Sequence, residues 1–174
     1  MRKILLVDDE ANVLSALQRA LRGFLPSGEA EIVTCQDPEQ ALLRCAEASF
    51  DVVMSDFRMP GLTGADFLQV VKGLQPDAVR LVLSASNDIG EVMESINRAE
   101  VFRYVAKPWQ AAELEKIFRQ AFARRDEALA ARRLAEPEIS EELTPQEHEA
   151  RRLEREEPGI TRVRRNPDGS IILD

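Results

Sequence analysis

Short apolar runs and amphipathic stretches alternate along the chain between residue 3 and about residue 123. Each run is mostly apolar at successive positions, a pattern typical of a parallel strand that is buried on both faces of a sheet. The runs lie at residues 4–7, 32–33, 52–54, 79–83 and 101–105.

The stretch after each run has apolar residues at the spacing of one helix face. Five strand–helix units joined by short loops predict an α/β fold, a doubly wound (βα)5 arrangement with a five-stranded parallel sheet covered by helices on both sides. A closed barrel would need eight such units. The residues predicted to line the five helix faces are Val13, Leu14, Leu17 and Leu21; Ala41, Leu42 and Cys45; Phe67, Leu68 and Val71; Val92, Met93 and Ile96; and Leu114, Ile117, Phe118, Ala121 and Phe122.

The composition changes after Phe122. Residues 124–136 are rich in strong helix formers and predict an extension of the fifth helix, which Pro137 ends. Residues 137–174 form an acidic tail, in which Thr144-Pro145 predicts a short helix and the turn residues 166–169 predict a small β-hairpin. We therefore expect a main domain at 1–123, a helical extension at 124–136 and a tail at 137–174.

The formal net charge of −8 argues against broad binding to nucleic acids or anionic membranes. No apolar run approaches the roughly 20 residues that a membrane-spanning helix needs. The only two cysteines, Cys35 and Cys45, do not make a disulfide framework and fit a reducing compartment. The sequence therefore predicts a soluble cytoplasmic protein with no membrane contact.

Polar and charged residues follow four of the five predicted strands. Asp8 and Asp9 follow the first strand, Asp56 the third, Ser84 ends the fourth and Lys107 follows the fifth. Ligands of an open parallel sheet bind beyond the carboxyl ends of its strands, so we expect these groups to converge. Three carboxylates repel one another, and a hard cation such as Mg²⁺ relieves that repulsion. A carboxylate can also accept a phosphoryl group, which an ammonium and a hydroxyl group would then stabilise.

Each of these residues has an ordinary structural explanation when it is taken alone. Asp8 and Asp9 would favour the start of the first helix, Asp56 would be a loop acid before Pro60, and Lys107 would be a surface lysine. Their joint occurrence at successive strand ends favours a functional site over these separate explanations.

The chain resembles response-regulator receiver domains in four blocks, at residues 4–10, 51–61, 81–85 and 104–108, in the order and spacing of that family. The resemblance covers about residues 1–123 and implies the flavodoxin-like receiver fold. It implies that Asp56 is the phosphoacceptor and that Asp9 binds Mg²⁺ directly, with Asp8 acting through water. The Arg58 backbone carbonyl would complete the protein ligands of the metal.

The same resemblance assigns four further roles. Ser84 and Lys107 would contact the phosphoryl group with help from the Ala85 backbone N–H, and Tyr104 takes the place of the family's switch aromatic, although an aromatic in a last strand is often plain core. Arg58 and Ser86 stand at the two positions that tune phosphoryl lifetime in this family, and the lifetime itself stays open. Lys107-Pro108 is a candidate cis peptide bond.

The partners implied are a sensor histidine kinase or phosphotransfer protein, an unidentified downstream protein and a second copy paired through the long helix. The favoured hypothesis is a receiver without its own catalytic or DNA-binding output. One alternative is a transcription regulator that binds DNA through Arg162, Arg164 and Arg165 on the predicted hairpin. The other is a phosphohydrolase, whose Asp-x-Asp motif is broken here by Arg58.

Overall fold

The computed structural model describes residues 1–85 and 89–136, apart from the side chains of five residues in the fourth helix. Within these residues, five strands alternate with five helices, as the sequence predicts. The strands are β1 (Arg2–Val7), β2 (Ala30–Cys35), β3 (Val52–Asp56), β4 (Val79–Ala85) and β5 (Arg103–Lys107). The helices are α1 (Ala11–Phe24), α2 (Pro38–Glu47), α3 (Gly64–Leu74), α4 (Ile89–Ala99) and α5 (Ala111–Ala135).

The strands form one parallel sheet in the order β2-β1-β3-β4-β5. The register places Val7 of β1 beside both Cys35 of β2 and Ser55 of β3. It also places Asp56, the last residue of β3, beside Leu83 of β4. All carboxyl ends therefore lie along one edge of the sheet, as the predicted doubly wound fold requires.

Successive residues of the central strands enter opposite halves of the core. Ile4 and Leu6 pack with α1 and α5, whereas Leu5 and Val7 pack on the other side of the sheet with α2, α3 and α4. This alternation follows from the two-residue period of a strand. It explains why β1 and β3 read as unbroken apolar runs, since both of their faces are covered.

Side chains at two helix starts satisfy backbone donors there. The Asp37 carboxylate accepts a hydrogen bond from the Glu39 N–H at the start of α2, and Pro38 occupies the first turn. The Thr63 hydroxyl accepts one from the Asp66 N–H at the start of α3. Both caps stand directly before an amphipathic stretch, so the sequence carries the signal for where these helices begin.

Two details differ from the sequence prediction. The strand predicted at 101–105 begins only at Arg103, because Val101 is buried in the turn after α4 and the pairing of β5 with β4 begins at Leu81 and Arg103. Met93 was predicted to lie on the buried face of α4 but is 57% exposed. Among the residues of α4 whose side chains are described, Val92 and Ala99 are buried, and Met93 lies about 100° around the helix from Val92.

The predicted long fifth helix is present, since α5 continues to Ala135. Residues Met1–Leu134 form one compact unit. The domain division at residue 123 stays a prediction, and the predicted short helix near Thr144 and the hairpin around residues 160–173 lie outside the described residues. In the part of the chain that the structure describes, no helix combines the length and the apolar character needed to cross a bilayer.

Candidate functional site

The winding of the sheet changes direction between β1 and β3. From β1 the chain moves outward to β2, and then it returns past β1 to build β3, β4 and β5 on the other side. The loops after β1 and β3 therefore diverge and leave a crevice at the carboxyl edge, the usual binding position of such sheets. Asp8 and Asp9 follow β1, and Asp56 ends β3, so the acidic residues line this crevice.

The three predicted acidic residues converge in the structure. Asp8, Asp9 and Asp56 each place one carboxylate oxygen within 4.8 Å of the other two. Asp8 is fully buried and Asp56 nearly so, while Asp9 is exposed. The cluster therefore has a buried floor and one carboxylate that faces solvent. Oxygen ligands of this kind suit a hard divalent cation, which can keep several of its waters.

Lys107 lies across the crevice from the acids. Its Nζ atom is 2.8 Å from Oδ1 of Asp56 and 3.1 Å from Oδ2 of Asp8. The other oxygen of Asp8 accepts a hydrogen bond of 2.9 Å from the Glu10 N–H, so both of its oxygens are engaged. One ammonium group faces three carboxylates, and among these four groups two negative charges are left uncompensated.

The environment shifts two pKa values at the site. Burial raises the pKa of Asp56; the hydrogen bond from Lys107 opposes this, while repulsion from Asp8 and Asp9 adds to it. Burial lowers the pKa of Lys107, but the hydrogen bonds with Asp56 and Asp8, together with the attraction of these two carboxylates, raise the pKa above its ordinary value. The lysine is therefore charged at neutral pH, and Asp56 is the acid whose ionisation the fold opposes.

Ser84 and Ala85 lie at the carboxyl end of β4, beside Ala106 and Lys107 of β5. Ser84 is buried, and its hydroxyl donates a hydrogen bond of 3.1 Å to the Ala85 carbonyl oxygen. The structure thus brings these residues to the same edge as Asp56, one strand away. The Ser84 hydroxyl is therefore bonded to the backbone of the next residue in the chain.

Gly64 supports the Asp56 backbone, and the sequence analysis did not identify it. A Cβ atom at this position would overlap the Asp56 carbonyl oxygen and would lie 2.9 Å from the Phe57 Cα atom. The Gly64 N–H also donates to the Phe57 carbonyl at 2.9 Å. The start of α3 therefore rests directly on the backbone beside the acceptor. The available signal was a glycine directly after the Thr63 cap, where most helices carry a side chain.

The remaining predicted residues lie around this edge. Arg58 is exposed in the loop after β3, and Tyr104 is 37% exposed on β5 beside Val82. The Lys107–Pro108 peptide bond is cis, in agreement with its selection as a candidate. Ser86 lies outside the described residues.

Comparison with protein families matches residues 4–119 to the model described as "Response regulator receiver domain". A similar curated protein is the hydrogenase transcriptional regulatory protein HoxA of Cupriavidus necator, 34% identical over 118 residues, which are 68% of this chain and 23% of HoxA. The two-component response regulator ARR14 of Arabidopsis thaliana is 32% identical over 125 residues, 71% of this chain and 31% of ARR14. The chain thus matches only about a quarter to a third of the length of these relatives.

Solved structures give the same picture. The signal receiver domain of an HD domain-containing protein from Pseudomonas fluorescens Pf-5 aligns with a TM-score of 0.67 and 29% identity, over 72% of this chain and 90% of that one. A structure described as the adenylate cyclase from Rhodopirellula baltica aligns with a TM-score of 0.71 and 30% identity, over 78% of this chain and 98% of that one. The cyclase activity named there is that of the Rhodopirellula baltica protein.

Proposed function

This chain belongs to the response regulator receiver domain family, and from that premise we propose that Asp56 accepts a phosphoryl group and so switches the protein's contacts with its partners. Members of this family are receiver domains of two-component response regulators and act as signalling switches. The observation that carries the proposal for this chain is the convergence of Asp8, Asp9, Asp56 and Lys107 in one crevice.

The donor in the proposed reaction is the phosphohistidine of a sensor histidine kinase or phosphotransfer protein. A carboxylate oxygen of Asp56 attacks the phosphorus atom, a P–O bond forms and the P–N bond to the donor imidazole breaks. The imidazole leaves with the bonding pair and takes up a proton. The product is an acyl phosphate on Asp56, which water later hydrolyses to the free carboxylate and phosphate. This self-limited cycle differs from steady turnover of phosphomonoesters.

The donor set fits Mg²⁺ because all of its side-chain ligands are carboxylate oxygens. Asp9 and Asp56 would hold the ion directly, with Asp8 acting through water and the Arg58 carbonyl as a backbone ligand. When it is bound, Mg²⁺ supplies positive charge that offsets the incoming phosphoryl oxygens. The exposure of Asp9 supports this arrangement, since it leaves a path from solvent into the crevice.

Lys107 and Ser84 are the side chains proposed to stabilise the phosphorylated state. Lys107 already lies 2.8 Å from an Asp56 oxygen, so a small movement would pair it with a phosphoryl oxygen. Ser84 would exchange its bond to the Ala85 carbonyl for one to the phosphoryl group, and the Ala85 N–H would donate a second. A change in the Ser84 hydroxyl is therefore the first structural consequence expected of phosphorylation.

Tyr104 would transmit that change to the surface. It lies on β5, the strand next to the one that carries Ser84, and it is partly exposed in the state described. Movement of Ser84 toward the phosphoryl group would leave space that the tyrosine ring can enter, which biases a packing equilibrium between two arrangements. The face formed by α4, β5 and α5 would then present a different surface to a downstream protein in the cytoplasm.

The decisive experiment is labelling with a small phosphodonor such as acetyl phosphate in the presence of Mg²⁺. We expect wild type to gain one phosphoryl group, and Asp56→Asn to lose the labelling entirely because the amide is not a nucleophile. Asp51→Asn is a matched control, because Asp51 directly precedes the opposite end of the same strand. Reduction of the acyl phosphate followed by mass spectrometry should assign the modified residue, and undiminished labelling of Asp56→Asn would refute the proposal.

Pairing of two copies through α5 is a separate part of the proposal. Leu134 near the end of this helix is 88% exposed, the most exposed large apolar side chain in the part of the chain that the structure describes. Light scattering with and without beryllofluoride, an analogue of the phosphoryl group, would measure the mass. Leu134→Gln should lower the dimer fraction. A mass equal to one chain under both conditions would contradict the pairing through α5. Binding of DNA through the predicted hairpin remains a prediction, because the hairpin lies outside the residues that the structure describes.

A further inference from the structure

Arg80 is a buried cation in the middle of an apolar strand. It is the second residue of β4, only 6% of it is exposed, and its two neighbours in the strand are the buried residues Val79 and Leu81. It lies near the amino end of the strand, four residues before Ser84. A buried guanidinium is costly unless its donors are satisfied, so its partners indicate what keeps it there.

The partners of Arg80 are backbone carbonyls from two loops. Its Nε atom donates to the Ala99 carbonyl at 2.8 Å, and its Nη2 atom is 3.4 Å from the Glu100 carbonyl. Its Nη1 atom donates to the carbonyls of Ala78, at 2.7 Å, and Pro76, at 3.3 Å. Ala99 is the last residue of α4, so Arg80 binds carbonyl groups that a helix end leaves without partners.

The end of α4 is further defined by Ala99 and Glu100, two of the four residues whose carbonyls Arg80 binds. Ala99 is fully buried, and Glu100 has a φ of 48°, the left-handed conformation that ends a helix. The Glu100 carboxylate forms an ion pair of 2.6 Å with Lys72 of α3. Beside this end lies a cleft of about 470 Å³, lined in part by Arg80, Asn97 and Phe102. Ala99 and Val101 pack into the core on one side of this helix end, and the hydrogen bonds of Arg80 bind it on the side of the cleft.

The two ends of α4 are thus connected to β4 in different ways. The first residue of the helix follows closely after Ser84 and Ala85, where the phosphoryl group is proposed to act. The last residue is bonded to Arg80 of the same strand. We propose that Arg80 is a positioning residue that fixes the carboxyl end of α4 to β4, so that the motion caused by phosphorylation pivots about this end. The inference rests on the proposed phosphorylation of Asp56.

Hydrogen exchange measured by mass spectrometry on the full chain tests the anchor without any phosphoryl group. Arg80→Met keeps the length of the side chain but removes its donors. We expect exchange of the amides at residues 97–102 to become at least about tenfold faster than in wild type, while α1 and α3 change little. Arg103→Met is the matched control, because Arg103 is an exposed arginine on the neighbouring strand that donates to the adjacent Phe102 carbonyl and lies over the Phe102 ring. Equal acceleration in all helices, or none at 97–102, would overturn the assignment.

Beryllofluoride then tests the pivot. In wild type we expect its binding to change exchange at the start of α4 and to leave residues 97–102 unchanged; in Arg80→Met the change should extend through residues 97–102. An equal change at both ends of α4 in wild type would overturn the pivot. If Arg80→Met does not fold, Arg80→Lys replaces it in the same comparison. Lysine keeps a charged donor, so the effect should be smaller, but its ammonium group cannot reach carbonyls in two loops at once. Failure of beryllofluoride to bind wild type would count against the Asp56 site alone, because the first measurement is independent of it.

Discussion

The two edges of the sheet both carry many charged residues, but they combine them differently. At the carboxyl edge, Asp8, Asp9 and Asp56 converge, Lys107 pairs with Asp8 and Asp56, and Asp8 and Asp56 are buried. At the amino edge, three arginines pair with three aspartates and the charges cancel. These pairs are Arg2–Asp126 at 2.7 Å, Arg125–Asp51 at 3.3 Å and Arg132–Asp77 at 2.7 Å.

The contrast separates charges that are paired with a partner in the fold from charges that are left unbalanced. Each pair at the amino edge joins α5 to a residue at or just before the start of a strand. Arg2–Asp126 and Arg132–Asp77 each have an exposed member, and such pairs contribute little to stability, whereas Arg125–Asp51 is largely buried. The unbalanced cluster at the carboxyl edge opposes folding until a cation or a proton neutralises it. In this chain the imbalance of charge, rather than the number of charged residues, therefore distinguishes the edge at which we propose that phosphorylation occurs.

The largest effect on the carboxyl edge should come from a residue without charge. Gly64→Val places atoms where the Asp56 carbonyl lies, and neither backbone segment can move aside freely. We expect the free energy of unfolding to fall by about 3 kcal/mol and phosphorylation to slow as Asp56 is displaced. Gly73→Ala in the same helix is the control, because nothing lies within 4 Å of its Cβ, and it should stabilise the chain by roughly 0.5–1 kcal/mol. Urea unfolding measures both, and equal effects would contradict the close contact.

Magnesium should stabilise the folded chain through the acids of the carboxyl edge and not through those of the amino edge. At a concentration of about 100 times its dissociation constant, an ion that binds only the folded chain stabilises it by about 2.7 kcal/mol. We expect thermal denaturation of wild type to shift upward with Mg²⁺, and Asp9→Asn to reduce the shift. Asp77→Asn at the amino edge should keep the full shift. An equal response of the two variants would mean that Mg²⁺ acts through general screening.

Protonation of Asp56 should stabilise the folded chain less than Mg²⁺ does, because a proton neutralises one charge and Mg²⁺ neutralises two. Burial, with repulsion from Asp8 and Asp9, raises the pKa of Asp56 in the folded chain above its unfolded value. The stability linked to this carboxyl is therefore fully present below about pH 3.9 and is lost as the pH rises through the folded pKa. In metal-free buffer Asp56→Asn should gain stability relative to wild type between about pH 4 and pH 7, as stepped urea titrations would measure. A constant or shrinking difference would contradict the raised pKa.

The smallest effect should come from the amino edge. Arg2 and Asp126 form two hydrogen bonds of 2.7 Å, but both side chains are substantially exposed. A double-mutant cycle with Arg2→Gln and Asp126→Asn should give a coupling energy of about 0.2–1 kcal/mol, and neither variant should alter labelling of Asp56. A coupling energy well above this range, or a loss of labelling, would show that the two edges are not independent.

The sequence predicted the fold and the main site because both depend on simple periodicities. Unbroken apolar runs indicated strands covered on both faces, and strand ends then indicated which polar residues share an edge. Gly64 and Arg80 escaped that reasoning because their roles depend on how closely one backbone segment approaches another. Arg80 did leave a signal, as a single cation within an apolar run. The exposure of Met93 could not be inferred either, because two adjacent apolar residues on a helix compete for one buried face.

The order β2-β1-β3-β4-β5 has a consequence for how such a protein can change over evolutionary time. The crevice beside β1 and β3 is produced by the path of the chain, whatever side chains line it. A descendant that lost its aspartates would keep the hollow and the helices around it. Binding and phosphorylation can therefore be inherited separately, and a relative of this chain with other residues at positions 8, 9 and 56 would still offer a cleft for a different ligand.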